Sequence, residues 1–418
     1  MNTKTNFGEL FKLGLHDIRF NKNNLTSALT AIIFAVAGAI PIFTSVAMNA
    51  GLGEQETSSI VMAGMGIGGV ISILLSIYFK QPIYLAPSIT SVVVLGPLFE
   101  RFSLSEMVFG YLMAAVIIFA IGYSGLMGKI SRILPLPIVM GMVAGVFMVY
   151  GLKLIESVQI AALGGGLTVA AFFIAPSLSK KIPPQAVALL TGIIVTFTLF
   201  PIKTVEDHAY KLTLPSFILP AIHLDVIAMV SLPLVIMTIA DIFKGYGVLK
   251  ANDYEISLNT VTTFCGIGSF LSAFGLGHPM ALAGPAIAII SGKDGGPREY
   301  RYAAAVMFSA VVTLTVLMAG VVTTFLMSLP MAIISIICGL AMLGLFTSAL
   351  EVAFGSGQFQ IGAFVAFLVG LSKLSLFGIG APVWAIVFGI MASYLMERSC
   401  FEVYKLSIGR SLENEAIS

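Results

Sequence analysis

The sequence predicts an all-α polytopic membrane protein with fourteen transmembrane segments, arranged as two inverted repeats of seven, with short extended strands in spans 3 and 10. Three observations support this class. Apolar residues make up 58% of the chain and charged residues only 10%, whereas soluble proteins carry about a quarter charged residues. Apolar stretches of membrane-spanning length recur from Leu25 to Met396. Two of these stretches, at matching places in the two halves, are interrupted by proline.

The predicted spans are apolar runs separated by short polar patches, and each run is long enough to cross or enter the hydrocarbon core. They cover residues 25–48, 57–79, 82–99, 104–127, 133–155, 158–177, 184–202, 225–249, 256–275, 278–292, 301–327, 330–350, 358–377 and 379–396. The first 24 residues are polar and lack the short apolar core and cleavage site of a signal peptide. The first apolar segment is therefore expected to remain as a helix.

The distribution of Lys and Arg predicts the orientation of the spans. With the N-terminus in the cytoplasm, seventeen of the 22 basic residues fall on the cytoplasmic side, and the five outside are Arg101, Lys153, Lys203, Lys211 and Lys373. Cytoplasmic loops are enriched in Lys and Arg. Both termini are therefore expected in the cytoplasm, with the chain in the inner (plasma) membrane. The net charge of +2 gives no indication of a nucleic-acid partner.

Short sequence matches recur along the chain at a nearly constant offset of about 195 to 197 residues. Pro82 aligns with Pro279, Leu134-Pro135 with Leu329-Pro330, and Glu156 with Glu351. Each match alone could arise by chance between apolar segments, but the common offset predicts two homologous halves of seven spans. Seven is an odd number, so the second half would enter the membrane inverted, as in many secondary transporters.

The stretch QPIYLAPSITS, residues 81–91, predicts a broken span. Proline cannot donate a backbone hydrogen bond and disfavours helix in the preceding residue, so residues 82–87 are expected to be extended. A short helix would begin at Pro87 or Ser88. The partner segment is expected to be extended over 278–283 and helical from Gly284-Pro285 to about Ser291. The alternative is that each proline only kinks a continuous helix.

The two breaks predict an anion site near the middle of the membrane. The extended pieces are expected to pair, so that two helix N-termini with unpaired N–H groups face each other. The hydroxyl groups of the first break add further donors. The candidate substrate-binding residues are Tyr84, Ala86, Ser88, Ile89, Thr90, Met280, Gly284, Pro285 and Ala286. An aromatic ring would be covered by Tyr84, together with Phe34, Phe43 or Met280.

Asp241 is the clearest ionisable residue inside a predicted span. A carboxylate in hydrocarbon is costly, so it must face a cavity, carry a proton or find a partner. Asp241 is the candidate proton-coupling residue. The alternatives are a structural pair with Lys244, three residues on along the same helical face, or a Lys244 side chain that reaches the cytoplasmic surface. The three Cys and four His are scattered, so we expect no metal site, no cofactor and no catalytic residues.

Four segments resemble the BenE-type benzoate/H⁺ symporter family, which is similar in architecture to nucleobase permeases and sulfate-type anion carriers. They are GHPMALAGPAIAIISGKDGGPREYRYAAA, GYGVLKANDY, LPMAIISIICGLAMLGLF and LFGIGAPVWAIVFG. The resemblance implies a core (transport) domain of residues 25–127 and 225–327 and a gate domain of 133–202 and 330–396. Residues 1–24 and 397–418 would be cytoplasmic segments, and a homodimer would form through the gate domain.

The resemblance also implies the activity, which is symport of an aromatic carboxylate such as benzoate with a proton by alternating access. The expected partners are a small anionic substrate, H⁺ and the lipid bilayer. Three other classes remain open. A nucleobase permease or inorganic anion carrier would share the fold, an anion channel would need no coupling, and a membrane enzyme would need a catalytic constellation that the sequence does not suggest.

Overall fold

The structure is a computed structural model that describes residues 7–127, 129, 135–178, 182–199, 215–372, 374–376 and 379–402. Parts of the predicted cytoplasmic segments, residues 1–6 and 403–418, lie outside the described residues. So do residues 203–214, which include Lys203 and Lys211 on the predicted outer side. Within them, each of the fourteen predicted segments corresponds to one or two helices, and the broken third and tenth segments each also carry a short strand.

The helices of the first half are α1 (Phe7–His16), α2 (Lys22–Phe34), α3 (Ile40–Asn49), α4 (Glu54–Val61), α5 (Ile67–Phe79), α6 (Ile89–Leu95), α7 (Leu104–Tyr123), α8 (Leu136–Ile160), α9 (Ala162–Leu178) and α10 (Pro184–Leu199). Those of the second half are α11 (Leu232–Ala251), α12 (Leu258–Ala273), α13 (Gly284–Ser291), α14 (Tyr302–Val316), α15 (Ala319–Ser328), α16 (Met331–Phe354), α17 (Gln360–Leu371) and α18 (Ala381–Met396). The strands are β1 (Leu85–Pro87), β2 (Met280–Leu282), β3 (Ser375–Leu376) and β4 (Ile379–Gly380).

Six of the described helical segments are long and apolar enough to cross a membrane. They are Lys22–Asn49, Glu54–Phe79, Leu104–Tyr123, Leu136–Ile160, Ile227–Lys250 and Met331–Phe354. The predicted span 301–327 is instead a pair of helices, α14 and α15, bent by 69°. Several other apolar helices are shorter than a full span. The chain is thus a largely helical membrane protein, while the count of fourteen spans and their inverted arrangement stay predictions.

Three short π-helical turns occur among the described residues: two link consecutive helices, and the third leads into α11. Two of them, Ala35–Ala39 and Ile227–Ser231, are each followed two residues later by a proline, Pro41 or Pro233. A proline removes one backbone donor from the helical ladder, and a π turn accommodates the resulting shift of partners. The first of these turns brings residues on both sides of it to the wall of the cavity described below.

The two breaks predicted from proline are present. Strands β1 and β2 pair antiparallel, with Leu85 opposite Leu282 and Pro87 opposite Met280. The pairing extends one residue beyond each end, because Ser88 N–H donates to Pro279 O at 3.0 Å and Ala283 N–H donates to Tyr84 O at 3.1 Å. The continuous kinked helix is therefore excluded, and the predicted pairing of the extended pieces is confirmed.

Serine hydroxyls on neighbouring helices bond the remaining polar groups of these strands. The N–H of Leu85 donates to Ser72 Oγ of α5 at 2.8 Å, and Ser76 Oγ donates to Ile83 O at 2.9 Å. In the second half, Met280 N–H donates to Ser269 Oγ of α12 at 2.7 Å. Extended backbone inside a membrane persists only when its polar groups are satisfied by protein or water, and these hydroxyls meet that requirement on the outer edges of the strand pair.

Glycines let the strands approach their supporting helices. A β-carbon on Gly64 would lie 2.2 Å from Pro87 Cγ, and one on Gly245 would lie 2.3 Å from Leu282 Cβ. Strand β1 therefore packs on the segment that contains Gly64, and β2 packs directly on α11. Helix α11 carries Asp241, which lies one turn before Gly245 on the same face, so this packing places the carboxylate next to the break.

Two sets of helices, each with members from both halves, pack closely together. Helix α8 packs against α16 and α17, and α17 packs against α18. Helix α7 packs against α12, and α14 packs against α5 and α2. The first set of helices lies within the predicted gate domain and the second within the predicted core domain, and this division into domains remains a prediction.

Candidate functional site

A cavity of about 80 Å³ lies beside the strand pair. That volume admits several water molecules or a small organic molecule. Its lining comes from both breaks and from the surrounding helices: Phe34, Ala35, Ala39, Phe43, Met65, Tyr84, Ala86, Pro87, Ser88, Ile89, Thr90, Phe147, Asp241, Lys244, Ala281, Leu282, Ala283, Gly284, Pro285, Ala286, Phe308 and Leu345.

Most of the cavity wall is apolar, and much of it is aromatic. Five aromatic side chains line it: Phe34 of α2, Phe43 of α3, Tyr84 immediately before β1, Phe147 of α8 and Phe308 of α14. The rings of Tyr84 and Phe308 are 4.4 Å apart between centroids and tilted by 51°. The buried Tyr84 hydroxyl has no hydrogen-bond partner among the described residues. Such a wall suits a flat apolar ring.

The polar part of the cavity is centred on Asp241. Its Oδ2 accepts a hydrogen bond from Ser88 Oγ at 2.6 Å and another from Thr90 Oγ1. Its Oδ1 lies 3.4 Å from Lys244 Nζ. The side chains of Asp241 and Lys244 are 13% and 19% exposed, respectively. Among the described residues that line the cavity, these two are the only charged ones, and the pairing expected as one alternative from the sequence is present.

Ser88 is held by the first turn of α6 as well as by Asp241. It is the N-cap residue of α6, and its Oγ accepts from Ser91 N–H at 3.2 Å and from Ser91 Oγ at 2.8 Å. A hydroxyl has one proton to donate, so that proton is directed to the Asp241 carboxylate. The N–H group of Ser91, one of those at the start of α6 that were expected to face the substrate, is therefore already bonded to the Ser88 side chain.

The second break supplies backbone groups without side-chain donors. Helix α13 begins at Gly284 with no side-chain cap, and its first helical hydrogen bond runs from Ile287 N–H to Ala283 O at 2.9 Å. The N–H groups of Gly284 and Ala286 precede that bond, while Pro285 has none. Gly284, Pro285 and Ala286 line the same cavity as Ser88 and Thr90.

The structure gathers most of the predicted binding residues at one place. Tyr84, Ala86, Ser88, Ile89, Thr90, Gly284, Pro285 and Ala286 all line the cavity. Met280 does not. Its side chain is fully buried, and a β-carbon on Gly268 would lie 2.5 Å from its sulfur. Met280 therefore packs against α12, because the strand directs it away from the cavity. The roles of the gathered residues in binding remain predictions.

Several residues of this site are missing from the sequence-based candidates. Phe147, Phe308 and Leu345 enter the lining from helices far along the chain, which no local pattern indicates. The serines that support the strands could have been found from a weak sequence pattern. Ser72 and Ser269 interrupt apolar helices, and their offset of 197 residues matches the repeat. His278 lies outside the cavity lining, and its Nε2 is 3.1 Å from Tyr111 Oη.

Comparison with solved structures identifies the fold as that of a membrane transporter. The transmembrane domain of the cyanobacterium bicarbonate transporter BicA superposes with a TM-score of 0.63 at 18% sequence identity, over 88% of this chain and 97% of that chain. The overall structure of SLC26A9 gives a TM-score of 0.63 at 14% identity, over 89% of this chain and 64% of that chain. At these identities the likeness establishes the fold alone.

The family follows from sequence comparison. The model of the BenE family, described as benzoate membrane transport protein, matches residues 19–395, and this chain belongs to that family. It is 26% identical over 372 residues to the benzoate membrane transport protein of Acinetobacter baylyi, over 88% of this chain and 93% of that one. It is also 26% identical over 373 residues to inner membrane protein YdcO of Escherichia coli, over 87% and 93%. The chain is thus a membrane transport protein and not an enzyme.

Proposed function

We propose that this protein is a secondary active transporter that moves a small organic anion, an aromatic carboxylate such as benzoate, together with a proton by alternating access. One observation carries the proposal: a cavity walled by five aromatic side chains holds a single Asp–Lys pair and two hydroxyls at its polar end. The aromatic wall suits the ring and the donors suit the carboxylate. The family description and the name of the Acinetobacter relative support the same substrate class.

In this proposal the carboxylate lies between the start of α6, at Ser88 and Thr90, and the start of α13, at Gly284 and Ala286. The ring lies against Tyr84 and the other aromatic residues. Asp241 exchanges the proton. One monoanion that moves with one proton carries no net charge, so the pH gradient drives uptake. A second proton would make transport sensitive to voltage, by about 2.3 kcal/mol per charge per 100 mV.

The proposal includes an arrangement in the membrane. Two inverted repeats of seven spans form a core domain (25–127 and 225–327) that moves against a gate domain (133–202 and 330–396). Both termini are cytoplasmic, in the inner membrane, as the basic residues predict. A homodimer forms through the gate domain, where α9 exposes apolar side chains such as Leu163 and Phe173. Light scattering of the purified protein would test the dimer.

The function is tested by uptake into proteoliposomes. Labelled benzoate should accumulate when the outside is more acidic than the lumen, and unlabelled substituted benzoates should compete. Bicarbonate, sulfate, uracil and xanthine serve as competitors from the other classes. Counterflow of labelled benzoate against unlabelled benzoate, which a channel does not produce, is the second readout. Uptake of an inorganic anion or a nucleobase, with no uptake of any aromatic acid, would reject the proposal.

A further inference from the structure

The carboxylate of Asp241 already has three side-chain donors. Ser88 Oγ at 2.6 Å and Thr90 Oγ1 both donate to Oδ2, and Lys244 Nζ lies 3.4 Å from Oδ1. The Ser88 hydroxyl is oriented by the bonds that it accepts from Ser91. The donors come from α6 and α11, which are about 150 residues apart in sequence, so the folded core assembles them around one carboxylate.

These donors are also the ones that a substrate carboxylate would need. Among the described residues that line the cavity, the side chains able to donate to an anion are Ser88, Thr90, Lys244 and Tyr84. Asp241 engages the first three. The fourth, the Tyr84 hydroxyl, is buried and has no partner among the described residues. A carboxylate of the protein itself thus occupies the donors that the proposed function assigns to the substrate.

We propose that the carboxylates of Asp241 and of the substrate are alternative ligands of Ser88, Thr90 and Lys244, so that a proton on Asp241 releases these donors to the substrate. This inference rests on the proposed function and adds how the proton and the anion are coupled. Two ionised carboxylates at one set of donors repel each other strongly in a site of low polarity. The proton comes from water on the side to which the cavity opens, and it leaves to water with the substrate.

The competition makes binding of the proton and binding of the substrate mutually favourable, because linkage between two sites is reciprocal. Over the pH range in which substrate binding takes up one proton, the affinity for substrate should fall about tenfold per pH unit, which is the slope for one linked proton. Release of a proton into the less acidic compartment restores the bonds to Asp241 and expels the anion. Coupling then requires no further titrating residue.

The other groups that line the cavity do not account for this pH dependence. The titratable lining residues are Lys244 on the same helix and Tyr84 beside β1, and neither type of side chain ordinarily titrates between pH 5.5 and about 8.5. The residues that α6 and α13 present to the cavity carry no ionisable side chain, and those of α2, α3, α8, α14 and α16 are apolar. Benzoate, a carboxylate, stays ionised across this range.

The test measures benzoate binding to the purified full chain by calorimetry from pH 5.5 to 8.5, in pairs of buffers with different ionisation enthalpies. The wild type should take up about one proton per benzoate bound at pH 7.5 and should lose affinity about tenfold per pH unit in the alkaline part of the range. Asp241→Asn imitates the protonated residue. It should bind benzoate with the same affinity throughout and at least about tenfold more tightly than the wild type at pH 8.5.

A second variant separates the donors from the proton. Thr90→Val removes one donor and keeps Asp241, so it should weaken benzoate binding about tenfold at pH 5.5 without changing the number of protons taken up. Benzoate binding by the wild type with no proton uptake would overturn the inference alone, and so would an Asp241→Asn variant with the wild-type slope. No binding of benzoate or any substituted benzoate at any pH would overturn the proposed function as well. The wild-type measurement decides the question even if a variant fails to fold.

Discussion

At the scale of single residues, Gly245 controls how closely the helix with Asp241 approaches the strand pair. A β-carbon there would lie 2.3 Å from Leu282 Cβ and 2.7 Å from Leu282 O, and backbone cannot move aside as a flexible side chain can. A β-carbon added to Gly247, two residues further along α11, would have no neighbouring atom within 4 Å. The two glycines of one helix therefore differ in what a methyl group would do.

Gly245→Ala should lower the free energy of unfolding by about 1–3 kcal/mol, because the added methyl forces α11 away from β2. The same shift should lengthen the bonds from Ser88 and Thr90 to Asp241 and reduce benzoate uptake. Gly247→Ala is the matched control. It should be neutral or slightly stabilising, since alanine favours helix over glycine. Thermal unfolding in detergent and uptake into proteoliposomes measure both effects. Equal stability of the two variants would contradict this account of the packing.

Single residues also mark where sequence reasoning reached its limit. Asp241 is predicted to matter because a charge is costly inside an apolar span, and Ser88 and Thr90 because their hydroxyls add donors at the predicted break. Their mutual bonding was not predicted, since it joins segments about 150 residues apart. Helical spacing allowed the contact with Lys244 but could not distinguish it from a lysine that extends to the surface.

At the scale of elements, the strand pair depends on hydroxyl groups from outside it. The junctions between β1 and α6 and between β2 and α13 were predictable within about a residue, because proline removes a donor and restricts its neighbour locally. The positions of Ser72 and Ser269 follow from tertiary packing of α5 and α12 on the strands, which a single sequence does not display. Each hydroxyl accepts one strand N–H that faces away from the other strand.

Removal of these acceptors should be destabilising. Ser72→Ala and Ser269→Ala each leave a buried backbone N–H without its partner, which costs about 1–3 kcal/mol. Ser309→Ala is the matched control, because the buried Ser309 hydroxyl has no hydrogen-bond partner among the described residues. That substitution should be neutral or stabilising. Unfolding temperatures of the three variants in one detergent give the comparison, and a loss of stability in Ser309→Ala as large as in the other two would contradict it.

A second element depends on a carboxylate at its start. Glu397 Oε1 and Oε2 accept from the N–H groups of Ile361 and Gly362 at 3.0 Å each, at the first turn of α17, and Oε2 also accepts from Ser393 Oγ at 2.6 Å. Burial by itself would raise the pKa of Glu397, but these hydrogen bonds outweigh it and hold that pKa below its usual range. A depressed pKa means that ionised Glu397 stabilises the folded protein.

Glu397→Gln should therefore lower the free energy of unfolding by about 1–2 kcal/mol at neutral pH. The contribution of the carboxylate is fully present above about pH 5 and is lost as the pH falls through the depressed folded-state pKa. The unfolding temperatures of wild type and variant should accordingly converge as the pH is lowered toward about 3. Glu402→Gln, at an exposed position nearby, is the control and should leave the curve unchanged. A constant difference between wild type and Glu397→Gln at every pH would show that charge is not involved.

At the scale of the whole molecule, α3 joins the predicted core domain to the predicted gate domain. Lys153 Nζ of α8 donates to Asn49 Oδ1 of α3 at 3.3 Å, and the Cys338 thiol of α16 lies close to the side chain of Ser45 of α3. The family and the fold indicate a transporter, but a sequence cannot show which surfaces of two domains meet in one state, because that depends on a small free-energy difference between states.

If the core moves against the gate during transport, a covalent link between α3 and α16 should stop it. Ser45→Cys places a second thiol beside Cys338, within reach of a disulfide if the β-carbons are about 4 Å apart. Oxidation should reduce benzoate uptake at least about tenfold, and reduction should restore it. Ser45→Cys combined with Cys338→Ala is the control and should be insensitive to oxidant, because the link cannot form. Cys265 and Cys400 remain in both proteins, so any effect of their oxidation would appear in both. Mass spectrometry establishes the link. A fully linked protein that transports at the wild-type rate would show that these helices stay together, and the alternating-access movement would then have to occur elsewhere.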